Sequence, residues 1–131
     1  MPTPIILLVD DDFQGRRRAA IVLRHFGFEV QEAGDGIEAL RYIAPHGQID
    51  LTVSNVFLPG LEGYKLVDMA KMRRPEMKVI YRAPTRQNAL KHLGTIHGEI
   101  VDGPCSTSRL ISAVRAALPW AFSRQAVAAA A

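Results

Sequence analysis

The chain has 131 residues, 48% of them hydrophobic and 22% charged, with a net charge of +3 and a pI near 9.4. That length suits one domain with a real core, and the ordinary balance of apolar and charged residues sets disordered and fibrous classes aside. No apolar run approaches the roughly 18 residues of a membrane-spanning helix, and the start lacks a signal-peptide pattern, so a cytoplasmic protein without a membrane partner is expected.

Ile5 to Val9 is a continuous apolar run, the pattern of a strand buried on both faces. Behind it Ala19, Val22, Leu23 and Phe26 recur at helical spacing, and Gly27 ends that helix. Glu29 to Ala33 reads as a second strand. The turn Gly34-Asp35-Gly36 leads into a helix carrying Ile37, Leu40 and Ile43, closed before Pro45. Leu51 to Ser54 is the third strand, followed by the loop Pro59-Gly60-Leu61-Glu62-Gly63. A helix from Tyr64, with Leu66, Val67 and Ala70 inward, stops at Pro75. Val79-Ile80-Tyr81 is the fourth strand, and Thr85 to Leu93 is a helix that is polar over most of its length. A fifth strand falls at Ile100-Val101. The last helix spans Ser106 to Leu118, with Leu110, Val114, Ala117 and Leu118 on one face, and Ala126 to Ala131 reads as a fraying helical tail.

Strict alternation of strand and helix predicts a parallel sheet covered on both sides, with right-handed crossovers. Such sheets bind ligands beyond the carboxyl ends of their strands. That directs attention to Asp10 to Asp12, Asn55 to Phe57, Arg82 and Gly103. Arginines cluster at Arg16-Arg17-Arg18 and Arg73-Arg74, but no zinc-finger spacing, aromatic platform or helix-turn-helix accompanies them. Solvated helix faces are therefore expected, with an acidic partner hinted at and nucleic acid not expected. The single cysteine, Cys105, can form neither an internal disulfide nor a structural zinc site, and reads as packing rather than a redox sensor. His25, His46, His92 and His97 make no metal-ligand pattern.

Three segments in order resemble the receiver domains of two-component signalling. They are Leu7-Leu8-Val9-Asp10-Asp11-Asp12, then Glu32 through Leu40, then Leu58-Pro59-Gly60-Leu61-Glu62-Gly63. The resemblance covers residues 5 to 118 and implies a receiver domain at 1–121 followed by an Ala-rich tail at 122–131. It also implies an α/β fold of three layers, αβα, around a doubly wound five-stranded parallel sheet. The flavodoxin-like strand order 2-1-3-4-5 is taken from the family and not read from these residues.

In the family an aspartate ending the third strand becomes an acyl phosphate, and an acidic pair after the first strand helps hold Mg²⁺. A hydroxyl residue after the fourth strand and a lysine after the fifth contact the phosphoryl oxygens, and their rearrangement carries the signal. Asp10 and Asp11 match the acidic pair. Counting back from Pro59 and Gly63 puts Asn55 at the phosphoacceptor position, where an amide is a poor nucleophile. Arg82-Ala83 stands for the hydroxyl residue and its small neighbour, Gly103-Pro104 for lysine-proline, and Ile100 for the aromatic switch. Phe57 falls where only a backbone carbonyl is used. The bond before Pro104 is expected cis, as in relatives.

No catalytic residue and no cofactor are expected, apart from weak Mg²⁺ at Asp10 and Asp11 if those two are not mere relics of the loop. Arg82 has two options: to reach the acidic pair, replacing lysine and metal together, or to point into solvent. Asn55 could also serve the loop structurally, and Asp12 is badly placed for in-line attack. The expectation is a non-enzymatic, phosphorylation-independent interaction module, monomer or homodimer. It would dock a histidine kinase, a phosphotransfer protein or another regulator on the fourth helix, fifth strand and fifth helix, where Arg86, Lys91 and Arg109 lie. With no output domain after Leu118, direct control of transcription is not expected. Two alternatives stay open: a working phosphorelay receiver with a non-standard acceptor, and a basic variant that binds nucleic acid or a small ligand.

Overall fold

Strands and helices alternate along the chain in the computed structural model, which describes residues 3–43, 48–103 and 106–121. In order they are β1 (Ile5–Val9), α1 (Phe13–His25), β2 (Glu29–Ala33), α2 (Gly36–Ile43), β3 (Leu51–Asn55), α3 (Gly63–Arg73), β4 (Lys78–Ala83), α4 (Arg86–His92), β5 (Glu99–Asp102) and α5 (Thr107–Ala117). The sheet runs β2-β1-β3-β4-β5 with every pairing parallel, as the resemblance implied. The tail at 122–131, the Gly103-Pro104 bond, Cys105 and His46 lie outside the described residues.

The continuous apolar run of β1 is explained by its place in the sheet. Ile6 and Leu8 face one side, with Val53, Ile80 and Val101, against Ala20 and Leu23 of α1 and Leu110 and Val114 of α5. Leu7 and Val9 face the other, with Tyr81 and Ile100, against α2, α3 and Ala89 of α4. Alternate residues of a strand point to opposite faces, so a strand covered twice must be apolar throughout.

Two expectations need correction. β3 and β4 run on to Asn55 and Ala83, because Asn55 pairs in register with Arg82 and the Val56 N–H donates to the Arg82 carbonyl at 2.8 Å. Arg82 is therefore part of a strand, not of the loop after it. In α2 the buried face is Gly36, Ala39 and Ile43, while Ile37 is 57% exposed. Gly36 must face inward because the Leu61 carbonyl oxygen lies 2.5 Å from where its Cβ would sit, which turns the neighbouring Ile37 out.

Candidate functional site

The carboxyl ends of β1, β3 and β4 open into a cleft of about 310 Å³ lined by Asp10, Asp12, Asn55, Phe57, Arg82 and Gly103, among others. Asp10 follows β1 and is buried, its side chain only 6% exposed. Its Oδ1 accepts from the Asn55 amide Nδ2 at 2.9 Å and from the Asp12 backbone N–H at 2.9 Å. Its Oδ2 accepts from Arg82 Nη1 at 3.3 Å. Asn55 Nδ2 also donates to Asp11 Oδ1 at 3.3 Å. An amide set between two carboxylates can only favourably turn its NH₂ toward them, since its oxygen would face like charge.

Of the two options open to Arg82, the structure has it turned inward, its side chain 18% exposed and paired with Asp10. The strand ladder delivers it there. The backbone at position 55 is equally fixed: the Ser54 hydroxyl donates to the Asn55 carbonyl at 2.9 Å. The first residue of α3 packs on that carbonyl so closely that a Cβ on Gly63 would lie 1.7 Å from its oxygen. The following loop is closed by the Glu62 carboxylate, which accepts the Leu58 N–H at 3.0 Å.

Arg16 was not legible as part of this site. In the sequence it belongs to an arginine run read as a solvated face, but its side chain is 13% exposed. Its Nη1 donates to the Asp10 carbonyl at 2.9 Å and its Nε to Glu32 at 3.2 Å. Arg17 and Arg24 pair with the same Glu32 carboxylate. Burial pushes the Glu32 carboxyl up, but hydrogen bonds from Arg17, Arg16 and Arg24 outweigh it and hold the group below its ordinary value. The signal that could have found Arg16 is angular: successive residues of a helix point about 100° apart, so a run of three cannot share one face.

Gly103 has φ +72°, and its N–H donates to the Ala83 and Pro84 carbonyls at 3.0 Å each. A left-handed residue at the position of the family's lysine is a conformation that glycine holds without cost and lysine does not. Phe57 stands edge-on to His92 of α4 with ring centroids 5.0 Å apart, joining the cleft to that helix. Ile100, opposite Tyr81 in register, is buried. Burial pushes the Tyr81 phenol above its usual range, while its oxygen accepts the His97 N–H at 3.1 Å. Arg109 reaches the Asp102 carboxylate at 3.2 Å, so it is engaged within the chain.

A divalent ion between Asp10 and Asp11 would need their oxygens turned toward it, with further oxygen ligands around it. Here those oxygens meet an amide NH₂ and a guanidinium. Among the described residues no three His, Cys, Asp or Glu side chains group to hold a metal ion. The residues present do not fit the family's Mg²⁺.

The strand order and the polar cleft at the carboxyl ends define a doubly wound, flavodoxin-like α/β protein. The chain belongs to the response regulator receiver domain family, whose profile matches residues 6–115. It is similar to a solved CheY-like receiver domain protein of Methanospirillum hungatei JF-1, with 25% identity, TM-score 0.82, and 94% of this chain and 99% of that one covered. The receiver domain of the hybrid histidine kinase CckA is 31% identical, with TM-score 0.73 and coverage of 87% and 98%. Among curated proteins, the DNA-binding transcriptional regulator NtrC of Azospirillum brasilense is 30% identical over 120 residues, 90% of this chain but 25% of that protein. Sensor kinase CckA of Brucella abortus is 32% identical over 77 residues, 58% of this chain and 8% of that protein. The chain thus spans a quarter or less of the length of these two curated relatives. No helix among the described residues is long and apolar enough to cross a membrane.

Proposed function

We propose that this receiver domain works in two-component signalling as a non-catalytic, phosphorylation-independent protein-interaction module. The observation that carries the reading is Asn55 itself, at the end of β3, with its amide NH₂ donated to Asp10 and Asp11. A phosphoacceptor needs a carboxylate oxygen free to attack, and an amide held by two carboxylates has no such oxygen. The exposed surface of α4, β5 and α5 is the proposed docking face, carrying Arg86, Lys91, Leu90 and Ile96 in the open. Its partners in this reading are a histidine kinase, a phosphotransfer protein or another regulator. Relatives named as a sensor kinase and a transcriptional regulator support that class of partner.

The test is the intact mass of the natural protein after incubation with a small phosphodonor and Mg²⁺. The expected spectrum is unchanged. A covalent phosphoryl adduct would overturn the reading, and peptide mapping would then name the acceptor.

A further inference from the structure

We propose that Arg82 is the resident cation of this pocket. It stands where a divalent ion would sit, closes the acidic pair to Mg²⁺, and makes two substitutions, not one, necessary to reopen it. The inference rests on reading position 55 as the disabled acceptor, and concerns what that loss did to the metal.

Four observations support it. Both oxygens of Asp10 are taken within the chain, Oδ1 by Asn55 and the Asp12 N–H and Oδ2 by Arg82. The Asp10–Arg82 pair is largely buried, so it is screened far less than a surface pair. A second cation, Arg16, stands on the same residue, 2.9 Å from the Asp10 carbonyl. Last, Arg82 is directly opposite Asn55 in the β3–β4 ladder, so it does not depend on a loop for its position.

Charge decides what a metal would meet. The acidic pair and Arg82 together carry a net −1, leaving aside Asp12, which also lines the cleft, and Arg16 on the Asp10 carbonyl. An aspartate at 55 raises this only to −2, and being opposite Arg82 it would pair with that guanidinium. Removing the arginine as well gives −3, with carboxylate oxygens free to replace some of a hard dication's waters.

Mn²⁺ serves as the probe, since it takes the same oxygen ligands as Mg²⁺ and broadens nearby amide signals. The proteins compared are the natural chain, Asn55→Asp, and Asn55→Asp combined with Arg82→Thr or with Arg82→Lys. The natural chain is expected to show no selective broadening at Asp10 to Asp12 and no rise in unfolding temperature with Mg²⁺. The threonine double variant should bind Mn²⁺ at least about tenfold more tightly than Asn55→Asp alone, because a cation next to the ion has gone. The lysine double variant, which keeps that cation, should stay near the single. If the threonine variant fails to fold, Arg82→Met in the same background makes the same comparison with a side chain of similar length. Selective broadening in the natural chain, or equal binding by single and threonine double variants, would overturn the inference. Metal binding without a phosphoryl adduct on the natural chain defeats this inference and spares the proposed function; an adduct without metal binding does the reverse.

Discussion

Asp10 gives both carboxylate oxygens and its backbone carbonyl to partners inside the chain, and the partner on the carbonyl, Arg16, leads on to Glu32. One carboxylate therefore collects three arginines, from positions 16, 17 and 24, and ties α1 to β2. Because Glu32 is held below its ordinary value of 4.5 when folded, the unfolded chain binds more protons just below that pH. Its contribution is fully present above about pH 4.5 and is lost as pH falls through the folded value. Urea unfolding between neutral and acid pH should show this as a loss of stability that is absent in Glu32→Gln. An equal acid slope in that variant would remove Glu32 from the account. The position of Asn55 was legible because Pro59 and Gly63 fix the count, whereas the inward turn of Arg82 and the role of Arg16 were not. A long basic side chain at a strand end or helix start has both core-side and solvent-side options, and its neighbours in space decide.

Among the elements, the ten strands and helices fall where the sequence places them, and the misses lie where backbone contacts outrank hydrophobic period. β4 was read as three residues because Arg82 looked like the end of an apolar run, yet the ladder to Asn55 continues past it. α2 was read by its large apolar residues, but the closeness of Leu61 put Gly36 on the inner side and Ile37 outside. Weakly apolar α4 forms at its expected place, where Thr85 caps it by accepting the Asn88 N–H at 3.0 Å. A very tight join lies between β3 and α3, at Gly63. A Cβ there would lie 1.7 Å from the Asn55 oxygen and 2.8 Å from the Ser54 hydroxyl, so the strand backbone or the packed helix has to shift to admit it. Gly63→Ala should therefore cost roughly 3 kcal/mol of stability in urea, with Asn55 displaced from Asp10. No cost, or the small gain expected where a glycine merely starts a helix, would mean α3 shifts freely and the Asn55 position is not clamped.

For the whole molecule, the sheet separates two cores of similar size. β1 and β3 are covered on both faces and paired on both edges, and almost all their side chains are buried. α4 is the opposite case: seven residues with only Ala89 buried, its last turn resting on Phe57 and Tyr64 through His92. Local opening costs least where few apolar contacts must be broken. Hydrogen exchange of the free protein should therefore find α4 amides the fastest among the five helices and β1 and β3 amides the slowest in the chain. On the proposed function, the cleft held by the Arg82–Asp10 pair does not switch α4 through chemistry at position 55. On that same reading, any change at the docking face comes from the partner, whose contacts must offset the entropy lost in ordering a loose helix. If α4 instead exchanges as slowly as β1, the face is rigid before binding, and a partner would meet a fixed surface and not a helix it has to settle.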